Sequence, residues 1–158
     1  MKTNEELMKE ALALEEELQF PCFNNQMGLD LGLLFVKRAK EAGHAVTIDI
    51  MKCGQQIFHY SFAGTLPDND EWVKRKINVV NRLHHSSWYF HCYLEQEQKT
   101  IDERYHISAY EYSPYGGCFP LIVRNVGVIG TITISGLAQE DDHAFCVSCI
   151  REYLDSLK

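Results

Sequence analysis

The sequence predicts a single α+β layered domain, and three observations predict it. Two pairs of short β runs, each joined by a tight turn, read as antiparallel hairpins. Helical repeats of apolar residues precede, separate and follow those pairs, so helices can cover the sheet. The chain has 158 residues, 46% hydrophobic and 23% charged, which suits one domain spanning 1–158 with its own core.

Thr3 and Glu6 form a capping-box pattern, and Leu7, Ala11, Leu14 and Leu18 follow at helical spacing until Pro21 ends the helix. Asn24 or Asn25 caps a second helix, apolar nearly all round, with Lys37, Arg38 and Lys40 in its last turn and Gly43 as its stop. Val46, Ile48 and Ile50 alternate with Thr47, Asp49 and Met51, then Phe58, Tyr60 and Phe62 alternate with Ile57, His59 and Ser61. With Cys53-Gly54-Gln55 as the turn, this is a hairpin expected to bury one face. Asp70 is expected to cap a third helix reaching about His84, and Ser86-Ser87 a fourth with Trp88, Cys92 and Tyr93 inward. Lys99 to Tyr115 reads mostly as loop, with a short helical turn near 102–104. Phe119–Arg124 and Val128–Ser135 are β runs around an Asn125-Val126-Gly127 turn. Glu140, Asp141 and Asp142 open the final helix, lined by Ala144, Val147, Ile150, Leu154 and Leu157.

A net charge of −7 argues against nucleic acid and anionic membrane as partners. No run approaches the roughly 18 apolar residues of a membrane span. Met1-Lys2-Thr3-Asn4-Glu5-Glu6 does not read as a secretory signal, so a cytoplasmic protein with six free thiols is expected. A P-loop, a dinucleotide fingerprint, a nucleophile elbow and a His-Glu-x-x-His motif are all absent.

Several groups are candidates for chemistry. Gly116-Gly117, ahead of Pro120, suit either backbone donors around a ligand or a tight turn feeding an edge strand. Cys118 in that turn lacks a partner to activate it and reads as a small buried hydrophobe. His143, Cys146 and Cys149 recur every three residues, but one Cys-x-x-Cys is a weak zinc signal. We read them as packing cysteines beside a helix-capping histidine, and expect no metal site. Arg75, Lys76 and Arg82, ahead of Ser86-Ser87, could anchor an anion or a propionate-bearing ligand; they could equally be a solvated basic face or a subunit contact.

The stretch Gly-Gly-Cys-Phe-Pro-Leu-Ile-Val-Arg-Asn-Val-Gly-Val-Ile-Gly-Thr-Ile-Thr-Ile-Ser-Gly-Leu from Gly116, then Ala138-Gln139-Glu140-Asp141-Asp142-His143, resembles the signature of the haem-degrading-domain (GlcG-like) family. Trp72, Arg75-Lys76, Asn78, Arg82 and Ser86-Ser87 resemble its uncharacterised cytosolic branch. The resemblance spans roughly residues 5–155. It implies a profilin-like three-layer α/β/α fold with a five-stranded antiparallel sheet, and homo-oligomers, often large rings. It also implies, in some relatives, binding of haem or a corrinoid. Two departures stand out: Tyr115 occupies a position often held by His, and neither N-terminal helix contains a histidine.

The reading is a homo-oligomer that binds a small ligand, with a tetrapyrrole such as haem as the candidate cofactor. The ligand is expected between the Gly116, Gly117, Cys118, Phe119, Pro120 turn and the 70–87 helix, near Arg75, Lys76, Arg82, Ser86, Ser87 and His143. The alternatives are an interaction scaffold without pocket chemistry and a haem- or cofactor-modifying enzyme. The missing acid–base pair counts against the enzyme.

Overall fold

The computed structural model covers Met1–Lys158. Helices α1 (Asn4–Glu17) and α2 (Asn25–Ala42) precede the hairpin of β1 (Thr47–Lys52) and β2 (Gln55–Ser61). Helices α3 (Pro67–Leu83), α4 (Ser87–Glu97) and α5 (Ile101–Tyr105) follow, then β3 (Cys118–Val123), β4 (Gly127–Ser135) and α6 (Gln139–Ser156). None of the helices is long and apolar enough to cross a membrane.

Local chemistry sets most boundaries. Thr3 and Glu6 exchange the two bonds of a capping box, at 3.2 and 2.7 Å. Asn24 caps α2 through Met27 N–H at 2.9 Å, and Gly43 ends it with φ of 70°. A capping box of Thr100 and Glu103 starts α5, close to the expected turn. Helix α3 starts earlier than Asp70: Pro67 stands in its first turn, and the Asn69 carboxamide accepts from Leu66 N–H at 2.9 Å.

The sheet is antiparallel in the order β2-β1-β4-β3, so it has four strands, not five. Outside β3, Phe20 forms an isolated parallel bridge to Val123. Its N–H donates to Ile122 O and its carbonyl accepts from Arg124 N–H, at 2.8 and 2.9 Å. Pro21 follows and has no N–H to extend that ladder.

One face of the sheet is apolar. Ile48, Ile50, Phe119, Leu121, Ile132 and Ile134 pack there against Leu31, Phe35 and Ala39 of α2 and Cys146, Val147 and Ile150 of α6. Helix α3 covers β4, β3 and β1 from the opposite side. Both faces of β1 are therefore buried, where the alternation predicted one: Thr47 and Asp49 are sealed as fully as Ile48 and Ile50. This second face carries Thr47, Asp49, Cys118, Thr131, Thr133 and Ser135. Polar groups survive burial when hydrogen-bonded. Asp49 Oδ2 accordingly lies 2.9 Å from His59 Nδ1 and accepts from Gln56 Nε2 at 2.6 Å, whereas Asp49 Oδ1 and Thr131 Oγ1 are buried without a partner.

Candidate ligand-binding cleft

The polar face of the sheet opens to the surface where α3 meets the segment 109–117. Helical periodicity gives α3 two adjoining stripes. Asn69, Trp72 and Lys76 face one compartment; Trp72 and Arg75 face another. The larger cavity holds about 450 Å³ between α3, α4 and the 109–115 segment, and Trp72, Arg75, His91, Tyr110, Tyr112 and Tyr115 supply its aromatic and cationic walls. A recess of about 250 Å³ adjoins it, lined by Asn69, Lys76, Ser135, Gln139 and Asp142. Trp72 and Tyr115 border both and meet edge to face, with centroids 5.6 Å apart.

The wall opposite α3 is held by hydrogen bonds. Ser113 N–H donates to Arg75 O at 3.1 Å, Asn78 Nδ2 donates to Glu111 O at 2.8 Å, and Arg75 Nε donates to Ser113 Oγ at 3.2 Å. The Arg75 guanidinium lies 4.7 Å from the Trp72 ring centroid, a cation–π arrangement that leaves its remaining N–H groups for a ligand.

Gly116 and Gly117 build the recess without lining it. Gly116 N–H donates to Gln139 Oε1 at 3.1 Å. Gly117 has φ of 133°, and a Cβ there would sit 2.3 Å from Ile134 O and 2.7 Å from Lys76 Nζ. Beneath it, Lys76 Nζ donates to Asp142 Oδ2 and to Ile134 O, both at 3.1 Å. Asp142 Oδ1 accepts from Leu137 N–H at 2.9 Å. Burial pushes the Asp142 carboxyl up, and the Lys76 charge opposes this.

The remaining expected residues fall elsewhere. Cys118, Phe119 and Pro120 are buried in the first half of β3. The Cys118 thiol accepts from Thr133 Oγ1 at 3.1 Å, and burial pushes its pKa up to about 12. Ser87 is stitched to Cys118: its Oγ accepts from Cys118 N–H at 3.0 Å and donates to Cys118 O at 3.3 Å. Ser86 caps α4. Lys76 leaves the basic face on which it was expected, whereas Arg82 stays exposed, 5.8 Å from the Tyr112 ring centroid. His143 does not cap α6. It is stacked on Trp88 with centroids 5.8 Å apart, its Nδ1 is buried without a partner, and burial pushes its pKa down to about 4. Cys146 and Cys149 are core residues.

His91 is the one histidine lining the larger cavity. It stacks on Trp88 and lies 5.6 Å from the Tyr115 ring centroid. Because Gln139 Oε1 takes the Gly116 N–H, its NH₂ faces His91 Nε2 at 3.2 Å, so that nitrogen is an acceptor already in use. No cluster of three or more His, Cys, Asp or Glu side chains is arranged to hold a metal. The cleft thus offers aromatic walls, a guanidinium with free N–H groups, and no histidine nitrogen left open for a metal. The sequence reading missed Tyr110, Tyr112, His91, Asn69, Ser135 and Gln139 as lining residues. Three tyrosines within six positions of a connecting segment, 110–115, were the available signal.

The fold defines a small α+β domain with an antiparallel sheet and an open cleft beside α3. The chain belongs to the haem degrading protein HbpS-like family, whose model matches residues 23–151. It is 41% identical over 140 residues to a UPF0303 protein of Serratia proteamaculans, covering 89% of this chain and 87% of that one. It is 35% identical over 156 residues to a UPF0303 protein of Psychromonas ingrahamii, covering 98% of each. Among solved structures, the Ybr137w protein superposes with a TM-score of 0.88 at 31% identity, over 96% of this chain and 90% of that one. HbpS gives 0.66 at 15% identity, over 85% of this chain and 92% of that one. A PduOC:heme complex gives 0.68 at 17%, over 82% and 94%. These last two show likeness of fold.

Proposed function

We propose that this protein binds an anionic, planar small molecule in the cleft between α3, α4 and the 109–117 segment, without turning it over. The observation that carries this is Arg75, held 4.7 Å from the Trp72 ring centroid inside a cavity walled by Tyr110, Tyr112 and Tyr115. Guanidinium forks match carboxylates, and aromatic walls match a flat ring. A tetrapyrrole is the candidate ligand, supported by the HbpS-like family and by the heme named in the complex of a fold relative. The Cys118 thiol, pushed up to about 12, is no nucleophile at neutral pH, which favours binding over covalent catalysis.

The test is absorption titration with haem and with iron-free protoporphyrin IX. Saturable binding of both is expected, within about threefold of each other, since Gln139 occupies His91 Nε2. Arg75→Glu is expected to weaken both at least tenfold, roughly the loss of one charge-assisted hydrogen bond. No saturable binding, or equal affinity in the variant, rejects the reading.

We further propose that the protein works as a homo-oligomer, a large ring being the form implied by resemblance. Leu29 and Leu33 of α2 are 42% and 54% exposed, and Tyr60 and Leu66 are also open, which supports a covered surface. Native mass spectrometry tests it, and a monomer at micromolar concentration rejects it. Cytoplasmic residence belongs to the same proposal and rests on the six unpaired cysteines.

A further inference from the structure

Arg75 and Lys76 are consecutive on α3 and face the two adjoining compartments. A lysine ammonium has three N–H donors. Two are used within the protein, on Ile134 O and Asp142 Oδ2. Lys76 itself lines the 250 Å³ recess with a side chain only 4% exposed, which leaves its third N–H without a protein partner there. The Ser135 hydroxyl and the Asn69 carboxamide line the same recess and touch each other only at 3.4 Å. The side-chain acceptors there each hold a partner within the protein: Asp142 Oδ1 takes Leu137 N–H, Oδ2 takes Lys76, and Gln139 Oε1 takes Gly116 N–H. What the recess can offer a ligand is the third N–H of Lys76, the Ser135 hydroxyl and the Asn69 NH₂, beside the outer lone pairs of the Asp142 carboxylate. A buried donor left unmatched is costly, so the group completing it is an acceptor oxygen.

We infer that the recess is a second carboxylate subsite, so that the ligand class is an organic dicarboxylate bridging Lys76 and Arg75 past the Trp72–Tyr115 pair. This rests on the cleft reading above and adds a second anchor to it. Gly117 is part of the design, because its missing Cβ leaves room for the ammonium under the loop. The Lys76–Asp142 pairing keeps the recess from carrying a bare buried charge when empty.

The test is isothermal titration of the full chain, in its native assembly, with adipate and with hexanoate, equal-length acids carrying two carboxylates and one. Adipate is expected to bind at least tenfold more tightly, the increment of one charge-assisted hydrogen bond. Ser135→Ala is expected to reduce that advantage about threefold, and Lys76→Met to remove it while hexanoate binding stays. Ser135→Ala keeps the question open to measurement if Lys76→Met unfolds. Adipate no tighter than hexanoate, with hexanoate still lost in Arg75→Glu, overturns the inner subsite and leaves the outer reading standing. If neither acid binds at millimolar concentration, the dicarboxylate class falls, while the outer cleft reading is decided separately by the porphyrin titration.

Discussion

Lys76 of α3 and Asp142 of α6 form an ion pair of 3.1 Å in which both side chains are at least 96% buried. It ties the helix over the polar sheet face to the helix on the apolar face, around the end of β4. Breaking such a pair strands a charge and typically costs about 3–5 kcal/mol. Lys76→Met should therefore lower unfolding free energy by about that much, measured by urea denaturation. Lys76→Met/Asp142→Asn removes the stranded charge while keeping an oxygen for Leu137 N–H. It should recover at least about 2 kcal/mol of the loss. Additive losses would show that the pair is not coupled.

Gly117 holds this pair under the loop. Alanine there must adopt φ of 133° and place Cβ 2.3 Å from Ile134 O. Both costs act on the folded state, each of order 1–3 kcal/mol. Gly117→Ala should lower the thermal midpoint by roughly 10 °C or more in a chain of this size. A change below about 2 °C would mean that the loop relaxes freely.

How far the sequence could be read depends on the range of the contacts involved. The caps at Thr3 and Asn24 were legible because each spans three residues. The early start of α3 is equally local, but Asp68 and Asp70 masked the Asn69 carboxamide that makes the bond. Arg75 was singled out on the sequence, and it lines the larger cavity. Lys76 looked like its neighbour, since nothing between 70 and 87 discloses a partner 66 positions away. The polar face of β1 looked solvent-facing, because alternation shows which side chains differ and not what lies above them. The fifth strand came from resemblance and stops at a single bridge through Phe20.

The six thiols should separate into two classes. Cys22 and Cys53 are exposed, whereas Cys92, Cys118, Cys146 and Cys149 are buried. Burial pushes Cys92 up to about 11 and Cys118 and Cys149 up to about 12, and raises Cys146 well above its usual value. A disulfide reagent at neutral pH should titrate two thiols in the native protein and all six in denaturant. A third fast thiol would mean that the reagent reaches one of the four buried cysteines in the folded protein.

His143 makes stability depend on pH in a predictable direction. Burial pushes its pKa down to about 4, from 6.5 in an open chain, and no hydrogen bond to Nδ1 compensates. Between those values the unfolded chain holds a proton that the folded one excludes, so stability falls as pH drops. The stabilisation is complete above pH 6.5 and lost by pH 4, a total of about 3 kcal/mol for this group. His143→Phe keeps a ring between Trp88 and Phe119 and removes the titration. Subtracting urea-unfolding free energies of the variant from those of the native protein cancels the carboxylates common to both. The difference should slope between pH 6.5 and 4 and level off above. A flat difference would mean that His143 is protonated in place, with water reaching it from the groove that Leu7, Ala11 and Leu14 of α1 form with Ala144 and Val147 of α6.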